Sequence, residues 1–258
     1  MQIGVCASCV VGKDLEAQMA ELKRIGYDFI EPAWKGDEDH AKLGTAMGRE
    51  LKKLGGRTGC PVLSAIHGSF VDLGLRLRAG QQAKELDILT RCCETLAAAG
   101  GSVLLCPNWA GENGEDFDKL YIEFLREAAV KARGFQVALG IEHIPRSKYR
   151  NTAVLVYELA ERVNRENVGV YYDIANGLYA GEDNAASARC VAPRVNQFHV
   201  KDYNKGEIPL EKMPLKEVQA VFGKDGFRGR VAVELGPQGA TGNAHLERAL
   251  RTLRENGY

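Results

Sequence analysis

The chain has 258 residues, 45% of them hydrophobic and 26% charged, enough apolar material to bury a full core without disulfide or metal staples. Lysine plus arginine and aspartate plus glutamate number 34 each, so no basic excess favours a nucleic acid or an anionic membrane as partner. Seven cysteines, an odd number without framework spacing, speak against a disulfide scaffold. With no charged leader and no run of about 18 apolar residues, the expectation is a cytoplasmic protein.

In chain order, residues 3–7 read as a first strand, and Leu15, Met19, Leu22 and Ile25 take helical spacing up to Gly26. Cys6-Ala-Ser-Cys9 has CxxC spacing, but no second pair and no neighbouring histidine accompany it, so it reads as a strand-end pair at the mouth of the fold. Residues 27–31 form a strand that ends at Glu31 before Pro32, and residues 40–54 an amphipathic helix. A strand follows over 60–67, a long helix over 79–99 that stops at Gly100, and a strand over 102–106 broken by Pro107. After a polar loop at 108–114 comes a helix over 116–133. Four more strands, 137–142, 168–173, 194–199 and 230–234, alternate with helices near 152–165, 183–191, 214–222 and 243–255. His40 and His245 fall in helical patterns and are expected on the exposed side.

Eight strand–helix alternations without linker or low-complexity segment predict an α/β fold, a single (β/α)8 TIM barrel spanning 1–258. No GxGxxG follows the first strand and no P-loop is present, which removes the common nucleotide-binding alternatives.

The last four strands end on Glu142, Asp173, His199 and Glu234. A strand–helix unit needs about 30 residues, and these tips stand 31, 26 and 35 apart. They therefore share one end of the barrel, where barrel active sites form. A strand buried on both faces is nearly all apolar, so a single charged tip is informative. One such tip can be a helix cap or an ion-pair partner, and Glu31 alone is divided between those readings and a site. Four in succession point to a shared site. Three carboxylates and an imidazole make a hard, mixed ligand set for one divalent ion: Mn2+ foremost, with Mg2+, Co2+ or Zn2+ as alternatives. Such an ion polarises a carbonyl and stabilises an enediolate.

The segments Ile141-Glu142-His143, Tyr172-Asp173-Ile-Ala-Asn176, His199-Val-Lys201-Asp202 and Val233-Glu234 resemble the metal motifs of the xylose-isomerase-like TIM barrels. Within them, they are most similar to the sugar-phosphate isomerase/epimerase and ketose 3-epimerase group. The stretch from Gly26 to Glu31 also resembles that group's second strand. The resemblance implies that Glu142, Asp173, His199 and Glu234 bind the metal. It further implies that Glu142 and Glu234 act as the acid/base pair on opposite faces of a sugar or sugar phosphate. The group is commonly dimeric or tetrameric.

Arg146 matches an arginine of the epimerases. Asn176 stands where they carry histidine, Lys205 where they carry a substrate-binding arginine, and Lys148 where they carry glutamate. The metal motif is intact while the usual substrate contacts differ. Further substrate candidates are His67, as a hydroxyl partner or a structural histidine, and Trp34 and Trp109, as stacking surfaces or loop packing. Lys201 joins them, as an oxyanion or phosphate ligand or a salt bridge. Alternation turns His143 away from the site. The expected function is a metal-dependent carbohydrate isomerase or epimerase, foremost ketose 3-epimerisation. A lyase acting on a keto-sugar or keto-inositol is the alternative. An abasic-site endonuclease and a non-catalytic sugar-binding protein are more remote.

Overall fold

The computed structural model describes residues 1–68, 73–108, 115–147, 149–202, 209–224, 227, 229–235 and 243–258. Strand β1 (Gln2–Cys6) runs into a 3-10 turn (Ala7–Cys9) and helix α1 (Leu15–Ile25). The Asp14 carboxylate caps α1 by accepting from the Ala17 amide at 2.8 Å, and Gly26 ends it at φ 107°, a conformation that glycine adopts without strain. The next strand is split at Pro32, which has no N–H to give, into β2 (Phe29–Glu31) and β3 (Ala33–Trp34). Then follow α2 (Gly36–Lys42), α3 (Thr45–Thr58), β4 (Ser64–His67), α4 (Leu73–Arg78), α5 (Gln82–Ala99) and β5 (Val103–Pro107). The second half contains α6 (Glu115–Gly134), β6 (Ala138–Glu142), α7 (Ala153–Val163), β7 (Val168–Asp173), α8 (Ile174–Tyr179) and α9 (Asn184–Val191). It ends with β8 (Val195–Val200), α10 (Leu215–Lys224), β9 (Arg230–Val233) and α11 (Ala244–Glu255).

All strand pairs are parallel, in the order β2-β1-β9-β8-β7-β6-β5-β4-β3. The two ends of that order are the halves of one strand. β2 pairs with β1 and β3 with β4, and Ile66 donates to the Pro32 carbonyl at 2.8 Å across the split. Nine hydrogen-bonded stretches among the described residues thus form the eight-stranded barrel expected from the sequence. The predicted helix 79–99 is α5, which begins after Gly80 (φ 74°) with the short α4 before it, and 40–54 divides into α2 and α3 around Gly44 (φ 144°). Helix α8 has no counterpart in the sequence reading, because six residues carry too little periodicity to reveal it.

The principal core lies between the strands and the helices. A second, small cluster of Val103, Leu105 and Tyr171, with Ile66 against it, fills the barrel interior. Gly140 makes room there: a Cβ at this position would stand 3.0 Å from the Tyr171 ring. Above the cluster the interior turns polar. Tyr171 pairs in register with Gln197, and two residues on Asp173 pairs with His199. Since side chains alternate along a strand, these pairs stack as two successive inward layers.

His40 and His245 are buried, not exposed as expected. The His40 ring packs edge-on against His67 at 5.6 Å, and His245 donates to the Cys9 carbonyl at 3.1 Å. A helical stripe does not show how closely a neighbouring strand end or turn approaches.

Candidate metal centre and active site

The four predicted tips come together. Among the described residues, one ligand atom each from Glu142, Asp173, His199 and Glu234 lies within 4.8 Å of the others. Glu142, Asp173 and His199 project from the ends of β6, β7 and β8. Glu234 stands one residue beyond β9, held to the ladder by its amide, which donates to the Val200 carbonyl at 2.9 Å. His199 Nδ1 lies 3.3 Å from Glu142 Oε1 and 3.6 Å from Glu234 Oε2. Bonds of about 2.1 Å to an octahedral ion leave neighbouring ligands roughly 3 Å apart, so the spacing and the donor set fit a divalent cation.

Asp173 has two roles. One oxygen caps α8, accepting from the Asn176 amide at 2.8 Å, and the other lies 2.8 Å from Lys201 Nζ. Lys201 also reaches Glu234 Oε2 at 3.0 Å. Its ammonium is thus a positive charge placed between two of the proposed ligands. Asn176, nearly buried, donates to the His143 carbonyl at 2.9 Å and to Glu142 Oε1 at 3.4 Å.

Burial pushes the Glu142 carboxyl above its ordinary value and adjacent Asp173 adds to the push, against the pull of His199 and Lys201. Burial works the same way on Asp173, but the Lys201 and His199 charges and the Asn176 amide hold it below its ordinary value. For His199 and Lys201 burial opposes the charge, and the surrounding carboxylates outweigh it and hold both well above their usual values.

A second cluster, Cys6, Glu31 and His199, has the composition of a metal site but the wrong geometry. His199 Nε2 lies 2.7 Å from Glu31 Oε1. With bonds of about 2.0–2.1 Å, two ligands at a right angle stand roughly 2.9 Å apart, so the shorter contact is a hydrogen bond. Cys6 Sγ adds contacts at 3.5 Å to Glu31 and 3.4 Å to His199.

Among the other candidates, His67 is buried at the end of β4, and burial pushes it down to about 3, so it is neutral at physiological pH. Trp34 lies in β3, not in a loop, and is 3% exposed, so its face is packed and not offered for stacking. Arg146 lies over the Tyr179 ring at 5.4 Å, a rim pair with an exposed aromatic. His143 is buried on the helix side beside Tyr172, as alternation predicts. Trp109, Lys148 and Lys205 lie outside the described residues. In the sequence Glu31 is legible as a strand tip but not as a neighbour of this site, and Tyr171, Gln197, Ser64 and Tyr179 carry no motif or spacing that marks them.

The family model described as xylose isomerase-like TIM barrel matches residues 19–256. The chain belongs to this family. Its fold is similar to that of the 3-keto-D-glucoside 4-epimerase YcjR from E. coli, with a TM-score of 0.84, 18% identity and 99% of each chain covered. It is also similar to a D-allulose 3-epimerase from a Methylomonas species in complex with D-allulose, with a TM-score of 0.76 and 19% identity over 98% of this chain and 89% of that one. A third similar family structure is an IolI protein with a bound zinc atom, with a TM-score of 0.72 and 18% identity over 99% of this chain and 96% of that one. No curated protein matches the sequence. Among the described residues, no helix is long and apolar enough to cross a membrane.

Proposed function

We propose that the protein is a divalent-metal-dependent sugar isomerase or epimerase, foremost a ketose 3-epimerase acting on a free or phosphorylated sugar. The observation that carries this reading is the convergence of Glu142 and Glu234 on His199 Nδ1, at 3.3 and 3.6 Å, at the mouth of a closed barrel. A divalent ion held by Glu142, Asp173, His199 and Glu234 would supply Lewis-acid polarisation of the substrate carbonyl.

The proton chemistry belongs to the glutamates. One carboxylate removes the proton from the carbon next to the carbonyl, and the other returns a proton from the opposite face, which inverts the centre. Glu142 suits the base role, because Asn176 Nδ2 at 3.4 Å and His199 Nδ1 at 3.3 Å hold its carboxylate in place in the cluster. Lys201, beside Asp173 and Glu234, is placed to stabilise developing negative charge. Asn176 orients Glu142, and Arg146 with Tyr179 offers donors and an aromatic face at the rim.

A second substrate assignment has support in the likeness to the 3-keto-glucoside 4-epimerase. There too the inverted carbon adjoins a carbonyl, so the same two carboxylates serve. The test is solvent exchange followed by NMR in deuterium oxide, with metal-free protein, added Mn2+, Mg2+, Co2+ or Zn2+, and a panel of ketohexoses, ketose phosphates and 3-keto-glucosides. Metal-dependent deuterium entry beside the carbonyl, with product of unchanged composition, is the expected result. Loss of water would indicate a lyase. Binding without exchange across the panel would contradict an enzymatic role.

A further inference from the structure

His199 has two ring nitrogens, and only one of them faces the four-residue cluster. Which nitrogen carries the proton, and which offers a lone pair, is set by what the other one bonds to. Here Nε2 donates to Glu31 Oε1 at 2.7 Å, leaving Nδ1 directed toward Glu142 and Glu234. Glu31 is fully buried, and its second oxygen is just as tightly held. Oε2 accepts from Tyr171 Oη at 2.8 Å, from Gln197 Nε2 at 3.0 Å and from the Ser64 hydroxyl in a short hydrogen bond. Gln197 also donates to Ser64 Oγ at 2.8 Å, which closes the ring of contacts. The donors come from β4, β7 and β8, while Glu31 itself comes from β2. A carboxylate gripped on both oxygens by three other strands cannot rotate without breaking several buried hydrogen bonds.

We infer that Glu31 is a positioning residue for the metal centre: it fixes the ring and proton of His199 so that Nδ1 is presented to the divalent ion, and Tyr171, Gln197 and Ser64 fix Glu31 in turn. Of the readings noted for this strand tip, the helix cap does not fit, since its oxygens meet no helix amide among the described residues, whereas the ion pair does, with the His199 imidazole as partner. The inference rests on the reading that His199 is a metal ligand.

The experiment measures Mn2+ binding to metal-free full-length protein by calorimetry, together with the thermal midpoint before and after metal, for wild type, Glu31→Gln and Tyr171→Phe. Glu31→Gln should weaken Mn2+ binding roughly 10–100-fold and also lower the metal-free midpoint, because His199 loses the partner of a buried ion pair. Tyr171→Phe, which keeps the ring and deletes one donor, should weaken binding several-fold. With Zn2+ bound, nitrogen NMR should show His199 protonated on Nε2 alone. A purely structural role would lower the metal-free midpoint and leave affinity unchanged in both variants, which would overturn the inference. So would a zinc-loaded His199 protonated on Nδ1. Should Glu31→Gln fail to fold, unchanged Mn2+ affinity in Tyr171→Phe would overturn it as well. Wild type that binds no divalent ion would overturn the metal reading itself and this inference with it. Wild type and Glu31→Gln binding Mn2+ equally would overturn only the inference.

Discussion

Glu31 and Glu142 are both buried glutamates bonded to the same imidazole, yet their proton affinities move in opposite directions. Burial raises both. In the lower layer, the His199 charge and the Ser64 and Tyr171 hydroxyls overcome it and hold Glu31 below its ordinary value. In the upper layer, the pull of His199 and Lys201 does not overcome burial, Asp173 adds to it, and the proton affinity of Glu142 rises. A carboxylate surrounded by donors is a fixed strut. A carboxylate crowded by other carboxylates is a group waiting for a cation or a proton. The two layers are adjacent turns of one pleat, so two residues of chain separate the scaffold from the chemistry.

The largest effect should come from opening the upper layer at Asp173. Asp173→Asn removes a charged ligand while asparagine still caps α8, so Mn2+ binding should fall 100-fold or more by calorimetry, and the metal-free protein should lose stability because Lys201 loses one of its carboxylate partners. Metal itself should stabilise wild type: at 100 times Kd the gain is about 2.7 kcal/mol, seen as a rise in Tm of roughly 5–10 °C that EDTA reverses. In Asp173→Asn that rise should largely disappear at the same metal concentration.

A second test separates the barrel mouth from its wall. His67 is held neutral by burial, with the His40 ring and Arg76 also disfavouring its charge, and its folded value of about 3 lies below that of the unfolded chain. The unfolded state therefore binds the extra proton, and stability is lost as pH falls from about 6.5 toward 3. At pH 4.5 the loss from this group is about 2–3 kcal/mol. Denaturant titrations of wild type and His67→Asn should show a shallower acid decline in the variant.

How much of this was legible follows from the same contrast. Glu142, Asp173, His199 and Glu234 stood out because each ends an apolar run, and their spacing carries the barrel period. Glu31 ends a run in the same way, but its partners lie 25 to 168 residues away, and no spacing rule links a strand tip to a histidine on the far side of a barrel. Tyr171 and Gln197 look like ordinary strand residues, and only the register of β7 against β8 turns them inward together. Trp34 reads as a loop residue because Pro32 ends the apolar run, whereas the strand resumes after it as β3. His40 and His245 show the limit of helical periodicity, which says which face is apolar but not what another element lays against it.

Smaller effects sharpen the upper layer. Lys201→Met leaves the crowded carboxylates with less positive charge; the metal-free protein should lose about 3 kcal/mol, and added Mn2+ should restore more stability than it gives wild type. At the rim, Arg146→Ala should raise KM about fivefold, the equivalent of about 1 kcal/mol, with kcat nearly unchanged, because the pair with Tyr179 stands outside the reacting centre.

The most direct test of two-glutamate proton transfer is the rate at which deuterium enters the carbon beside the carbonyl, measured in Mn2+-saturated wild type, Glu142→Gln and Glu234→Gln with the substrate that wild type turns over. Both variants should lose at least about 1000-fold in exchange and in conversion. Exchange at the wild-type rate in either variant would contradict the assignment of that glutamate to the proton transfer.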